Sequence, residues 1–193
     1  MMRALATVLQ KTDHRRWSDP TNLESWWEPR TERAAALIPA GSRVIEFGAG
    51  NRTLERVLDP SCTYVPSDIV DRGPGTLVCN LNERPLPNLG SDVYDVAVMM
   101  GVLEYMRDAP SIVDWLAEHV QVCVLSYVCA EENRFSIRGA RSRLRRIRAG
   151  WMNNFRDDEL RSLFDERGFH LLQEEICLGN RLFVFSRRAD RDR

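Results

Sequence analysis

The segment Arg43-Val44-Ile45-Glu46-Phe47-Gly48-Ala49-Gly50-Asn51 constrains this chain more than any other. An apolar β-like run ends in an acidic residue and two glycines one residue apart, and a helix-like segment follows. Glycine accepts a tight strand-to-helix turn and removes the Cβ atoms that would hold a ligand away from the backbone. A dinucleotide fingerprint needs a third glycine three residues after the second, where this chain has Thr53. No Gly-Lys-Ser/Thr occurs, which excludes a P-loop. What remains is Glu-x-Gly-x-Gly.

Elements around that turn alternate. Apolar runs predict strands at 44–47, 62–66, 76–79, 94–100, 120–128, 169–177 and 182–186. Helices are expected over 21–38, with Pro29 as a candidate break, and over 53–58, 109–119 and 157–167, the last ended by Gly168. Gly179-Asn180 suits a tight hairpin turn. Residues 1–20 read as a loose polar arm. This order predicts an α/β fold, a doubly wound, Rossmann-like, mostly parallel seven-stranded sheet with an antiparallel C-terminal hairpin. A chain of 193 residues is expected to form one domain over 1–193. Within it, 1–40 would be an N-terminal arm and helix covering the site, and 133–151 an Arg-rich insertion after the fifth strand.

Composition narrows the chemistry. The net charge of −1 supplies no global field toward nucleic acid or membrane. Lys11 is the only lysine, so lysine chemistry such as a Schiff base has little to work with. The five cysteines form no C-x-x-C pair and no zinc spacing, which fits reduced core thiols and a cytoplasmic location, with no metal site expected. No apolar run reaches the roughly 18 residues of a membrane span, and charges interrupt the N-terminus where a signal peptide would need an apolar core.

In an open parallel sheet, ligands bind beyond the carboxyl ends of the strands at the switch point. Those ends here are Glu46 to Gly50, Asp68, Cys79-Asn80-Leu81-Asn82, and Met100-Gly101-Val102-Leu103-Glu104-Tyr105. An acidic residue after the second strand can accept hydrogen bonds from both hydroxyls of a ribose, and an amide after the third can meet an adenine amino group. Together with Asn154-Phe155-Arg156-Asp157-Asp158-Glu159-Leu160 and Gly168-Phe169, these strand ends resemble a class I S-adenosylmethionine-dependent methyltransferase from about residue 40 to residue 186. The resemblance implies S-adenosylmethionine as cofactor and S-adenosylhomocysteine as product. It implies that Glu46, Gly48, Ala49 and Gly50 line the methionine end, Asp68 holds the ribose, Asn80 and Leu81 flank the adenine, and Gly101 sits below the cofactor. Asn80 departs from the usual aspartate, and Asn51-Arg52 stands where many members have a further glycine; Arg52 could pair with a carboxylate instead.

S-Adenosylmethionine brings an already activated methyl group, so the protein contributes chiefly alignment and exclusion of water. No residue stands out as a catalytic base. Glu104 is read as a cap for the segment that follows it, and His14, His119 and His170 as surface or helix-end residues. Trp26, Trp27, Arg30, Tyr105 and Trp151 are the expected substrate-binding residues, because the N-terminal helix and the insertion after the fifth strand roof the acceptor pocket in this family. The arginines at 134, 138, 141, 143, 145, 146 and 148 read as a solvated helix face, or as a patch for phosphate, carboxylate or RNA. The expected activity is methyl transfer to an oxygen or nitrogen of a small metabolite. A looser similarity, over half of the chain, is to the MetW family, which implies a non-catalytic partner protein; an RNA methyltransferase is the weaker third reading. A homodimer or a partner protein stays open.

Overall fold

The structure, a computed structural model, describes residues 7, 9, 11–90, 94–131 and 137–187, with the side chains of 137 and 138 left out. Seven strands form one sheet: β1 (Arg43–Phe47), β2 (Thr63–Asp68), β3 (Leu77–Val78), β4 (Tyr94–Met100), β5 (Val120–Tyr127), β6 (Phe169–Cys177) and β7 (Asn180–Arg187). Their order is β3-β2-β1-β4-β5-β7-β6. The first five strands in that order run parallel, and β7 pairs antiparallel with both β5 and β6. The order reverses between β1 and β4, which opens a crevice at their carboxyl ends.

The central strands are mostly apolar because helices cover both faces. Alternate side chains go to opposite sides. Ile45, Phe47, Ala97 and Met99 pack into one layer with α4 (Ala109–His119) and α6 (Asp157–Asp165). Val44, Val96 and Val98 pack into the other with Ala34 of α2 (Glu28–Ala35) and Leu54 of α3 (Thr53–Val57).

Each of the two best-defined helices has a local cause. Asp108 caps α4 by accepting from Ser111 N, and Pro110 lies in its first turn, where no amide is required. Ile112, Val113 and Leu116 form its buried stripe. At the start of α6, Glu159 accepts from Arg156 N at 2.8 Å, and three acidic residues lie in the first turn near the positive end of the helix dipole. Phe164 of α6 stacks on Phe185 of β7 at 4.2 Å between ring centroids. No helix among the described residues is long and apolar enough to cross a membrane.

Several expectations need correction. Residues 21–38 are not one helix. Two 3-10 turns, Pro20–Asn22 and Ser25–Trp27, precede α2. The segment divides next to Pro29, which lies in the first turn of α2, where its missing N–H has no internal acceptor to serve. The arm is not loose where it is described: α1 (His14–Ser18) is capped by Asp13, which accepts from Arg16 N. The third strand shrinks to Leu77–Val78, and α6 stops at Asp165, short of 167. Asn180 belongs to β7, so the hairpin turn is Leu178-Gly179, both at positive φ. The Arg-rich segment forms α5 (Ile137–Ala149). The predicted arginines 134 and 138 lie outside the described residues and described side chains, as does most of 1–10.

Candidate active site

The glycine turn adopts a backbone that few other residues tolerate. Gly48 has φ +74° and Gly50 φ +51°. A Cβ on Gly48 would lie 2.5 Å from Val102 Cγ2, in the loop after β4. The amides of Gly48 and Ala49 donate to the Ser67 carbonyl at 2.8 and 3.0 Å, tying the turn to the end of β2. Arg52, itself at φ +54°, forms an ion pair with Glu55 at 2.7 Å.

A cavity of about 380 Å³ opens over this turn. The expected cofactor-binding residues Glu46, Gly48, Ala49, Gly50, Asp68, Asn80, Leu81 and Gly101 all line it. So do the expected substrate-binding residues Trp26, Trp27, Arg30, Tyr105 and Trp151. The sheet brings the first group together, because parallel strands in register end at one edge. The second group arrives from the N-terminal segment, the loop after β4 and the end of α5.

Hydrogen bonding within the cavity wall is specific. Asp68 Oδ2 accepts from Gly50 N at 2.9 Å and Arg72 Nε at 3.1 Å. Its Oδ1 accepts from Ile69 N at 2.7 Å and Arg72 Nη2 at 3.4 Å. Arg72 Nη2 also donates to the Trp17 carbonyl at 2.6 Å, so the same guanidinium anchors the N-terminal segment. Asn80 forms an Asx-turn, its Oδ1 accepting from Asn82 N at 3.1 Å and from Thr12 Oγ1 at 3.2 Å. The N-terminal segment thus reaches both Asp68 and Asn80. Leu23 extends the same cover, its Cδ2 lying 3.6 Å from where a Cβ on Gly50 would stand. Trp17 meets Tyr105 edge-on at 5.1 Å between centroids.

Two further carboxylates in the wall are buried besides Asp68. Glu46 is 3 % exposed, accepts from the Tyr64 hydroxyl, and is pushed up to about 8 by burial. Glu104 is 1 % exposed and is raised to about 7 by burial, against the opposing pull of Arg30 and Arg146. Glu104 does not cap the segment after it. Its Oε1 accepts from Val128 N at 3.2 Å just past β5, and its carbonyl accepts from Met152 N at 2.8 Å. Arg30 lies across the same space, 3.0 Å from where a Cβ on Gly101 would stand. It donates to Met100 O at 3.2 Å and to Asn180 Oδ1 at 3.3 Å.

Sequence reasoning missed Thr12, Arg72 and Asn180 at this site. Thr12 and Asn180 act through contacts far along the chain, and no local pattern marks them. An arginine four residues after the acidic end of β2 was the one available clue. The Arg-rich segment also splits. Arg146 is buried, donating to Val128 O at 2.7 Å and Cys129 O at 2.6 Å with its guanidinium over Trp151. Arg141, Arg143, Arg145 and Arg148 are exposed.

The overall likeness is to methyltransferases. An O-methyltransferase candidate from Nostoc punctiforme PCC 73102 superposes with TM-score 0.72 at 12% identity, over 95% of this chain and 66% of that one. The magnesium protoporphyrin IX methyltransferase ChlM from Synechocystis PCC 6803, solved with bound S-adenosylhomocysteine, gives TM-score 0.60 at 15% identity over 83% of each chain. The pyocyanin biosynthetic protein PhzM gives TM-score 0.60 at 13% identity, over 82% of this chain and 54% of that one. The chain thus spans about half of PhzM and just under two thirds of the Nostoc protein. At these identities the likeness shows the fold. No curated protein matches the chain. A family model described as a methyltransferase domain matches residues 12–174, a span that includes every residue placed around the cavity except Leu178, Gly179 and Asn180. The chain therefore belongs to this methyltransferase-domain family, whose methyl donor is S-adenosylmethionine.

Proposed function

We propose that this protein transfers a methyl group from S-adenosylmethionine to an oxygen or nitrogen of a small metabolite. The cavity carries this reading. At about 380 Å³ it falls within the roughly 300–1,000 Å³ range of small-molecule sites. It joins the glycine turn to an aromatic roof of Trp26, Trp27 and Trp151. An RNA methyltransferase would need the same cofactor cavity, but the net charge of −1 supplies no field toward RNA, and a MetW-like partner protein would need no such cavity.

The residues present fit the cofactor. Bare backbone at Gly48 and Gly50 admits close approach, Glu46 lies at the strand end beside it, and Leu81 offers an apolar wall to a flat base. Asp68 is the ribose partner in this reading, and Gly101 leaves room near the reacting centre. When bound, the cofactor supplies an electrophilic methyl on a sulfonium. The chain's own residues hold the acceptor in line with it, and the N-terminal segment excludes water. The protein is read as one domain that acts in solution on a freely diffusing acceptor.

Calorimetric titration with S-adenosylmethionine and S-adenosylhomocysteine tests this. The expected result is binding on the order of micromolar Kd, lost in Gly48→Val. A folded wild-type sample that binds neither compound would sink the enzyme reading and favour a partner protein.

A further inference from the structure

The N-terminal segment meets the cavity at the three places that the proposed cofactor needs. At the adenine end, Asn80 Oδ1 accepts from Asn82 N at 3.1 Å and from Thr12 Oγ1 at 3.2 Å, which fills both lone pairs of an amide oxygen. Asn80 Nδ2 donates to Glu83 Oε1 at 2.8 Å, so the amide is held in this orientation. At the ribose end, Asp68 is filled by Gly50 N, Ile69 N and two nitrogens of Arg72, and Arg72 Nη2 is shared with the Trp17 carbonyl. At the glycine turn, Leu23 Cδ2 lies 3.6 Å from where a Cβ on Gly50 would stand. Thr12, Trp17 and Leu23 all line the cavity.

We propose that residues 11–23 form an autoinhibitory strap, which S-adenosylmethionine must displace at Asn80, Asp68 and Gly50 in order to bind. This rests on the methyltransferase reading above and adds a regulatory contact to its cofactor site. An adenine amino group can donate to Asn80 Oδ1 only in place of Thr12 or Asn82 N. Thr12 is the one that can leave. Asn82 N is held in the Asx-turn two residues on, whereas Thr12 arrives from 68 residues away. Ribose hydroxyls likewise take Asp68 from Arg72, which loosens the guanidinium that holds Trp17 O. Exchanging one hydrogen bond for another gains little, so the apparent affinity is that of the open form reduced by the fraction of chains that are open. The acceptor side of the strap is not in competition. Arg16 Nη1 donates to the Ala149 carbonyl, and the Trp17 ring meets Tyr105 edge-on. These contacts keep that side over the acceptor while the cofactor side is released.

Lys11, the only lysine of the chain, is exposed and immediately precedes Thr12. A lysine-specific protease therefore cuts the untagged full chain at one bond, and it must draw the residues on both sides, Thr12 among them, out of the fold to do so. The rate of that cut follows the open population. Saturating S-adenosylhomocysteine should speed it at least about threefold, read by mass spectrometry. Slower or unchanged cutting, in protein that calorimetry shows to bind the compound, overturns the proposal, because a strap that closes over the cofactor would protect Lys11. Thr12→Val removes the hydroxyl and keeps the side-chain shape. It should bind S-adenosylhomocysteine about two- to tenfold more tightly than wild type, the net worth of one hydrogen bond, and should be cut faster without ligand. Thr12→Ser keeps the hydroxyl and should match wild type in both. Equal or weaker binding by Thr12→Val overturns the proposal. If that variant does not fold, the wild-type cleavage comparison decides alone. Protein that binds the compound but is protected at Lys11 keeps the methyltransferase reading and loses only the strap. Folded wild-type protein that binds neither S-adenosylmethionine nor S-adenosylhomocysteine removes that reading itself, and this proposal with it.

Discussion

Arg72 grips both oxygens of Asp68, with Nε 3.1 Å from Oδ2 and Nη2 3.4 Å from Oδ1. The pair is almost fully buried, and the two backbone amides of Gly50 and Ile69 take the remaining acceptor positions. A carboxylate offers about four such positions, so a ribose can reach Asp68 only by taking over from Arg72.

This makes Arg72→Ala informative. Breaking a buried pair costs about 3–5 kcal/mol, so the free variant should melt well below wild type. Ribose hydroxyls would then supply the missing donors. The thermal shift caused by saturating S-adenosylhomocysteine should therefore be larger in Arg72→Ala than in wild type. Equal shifts would show that Asp68 is not the ribose partner.

Gly48 and Gly75 share nearly the same φ, +74° and +78°, but differ in surroundings. A Cβ on Gly75 would meet nothing within 4 Å, whereas one on Gly48 would meet Val102 at 2.5 Å. Gly75→Ala should cost about 1–2 kcal/mol from left-handed strain alone. Gly48→Ala should cost more, by urea denaturation, and should also lose cofactor binding. Equal costs would mean that the loop after β4 moves aside freely.

Glu46 predicts how stability depends on pH. Its folded value, raised by burial to about 8, exceeds its unfolded value of 4.5. The folded state thus holds the proton more tightly, and stability falls as pH rises from 4.5 through about 8. Glu104 adds the same sign up to about 7. Glu46→Gln should flatten the upper part of this dependence. Urea midpoints compared across that window provide the check, and an unchanged slope in the variant would contradict the assignment.

Arg145 and Arg146 are neighbours with opposite roles. Arg146→Ala removes bonds to two carbonyls and the contact with Trp151, so it should destabilise by about 2–4 kcal/mol. Arg145→Ala, at an exposed position with no partner among the described residues, should stay within about 0.5 kcal/mol. Chemical denaturation distinguishes them. Similar effects at both would show that α5 does not dock through Arg146.

How much of this was legible from the chain depended on the range of the interaction. Short-range patterns were readable. The mostly apolar runs of β1, β4 and β5 and the bare backbone at Gly48 and Gly50 follow from φ/ψ preference and burial within a few residues. Because parallel strands in register end together, the same runs also placed Glu46, Asp68, Asn80 and Gly101 along one edge. The arm was misread because its order comes from contacts 55 and more residues away, Trp17 O with Arg72 and Thr12 with Asn80. Glu104 was misread for the same reason. Its own neighbours suggest a cap, and only the folded sheet brings Val128 N to one oxygen and buries the other without a partner. Sequence determined the main strands and the glycine turn, since those depend on local geometry. Tertiary structure alone decided which charges were desolvated, because burial is set by what the rest of the chain packs around them.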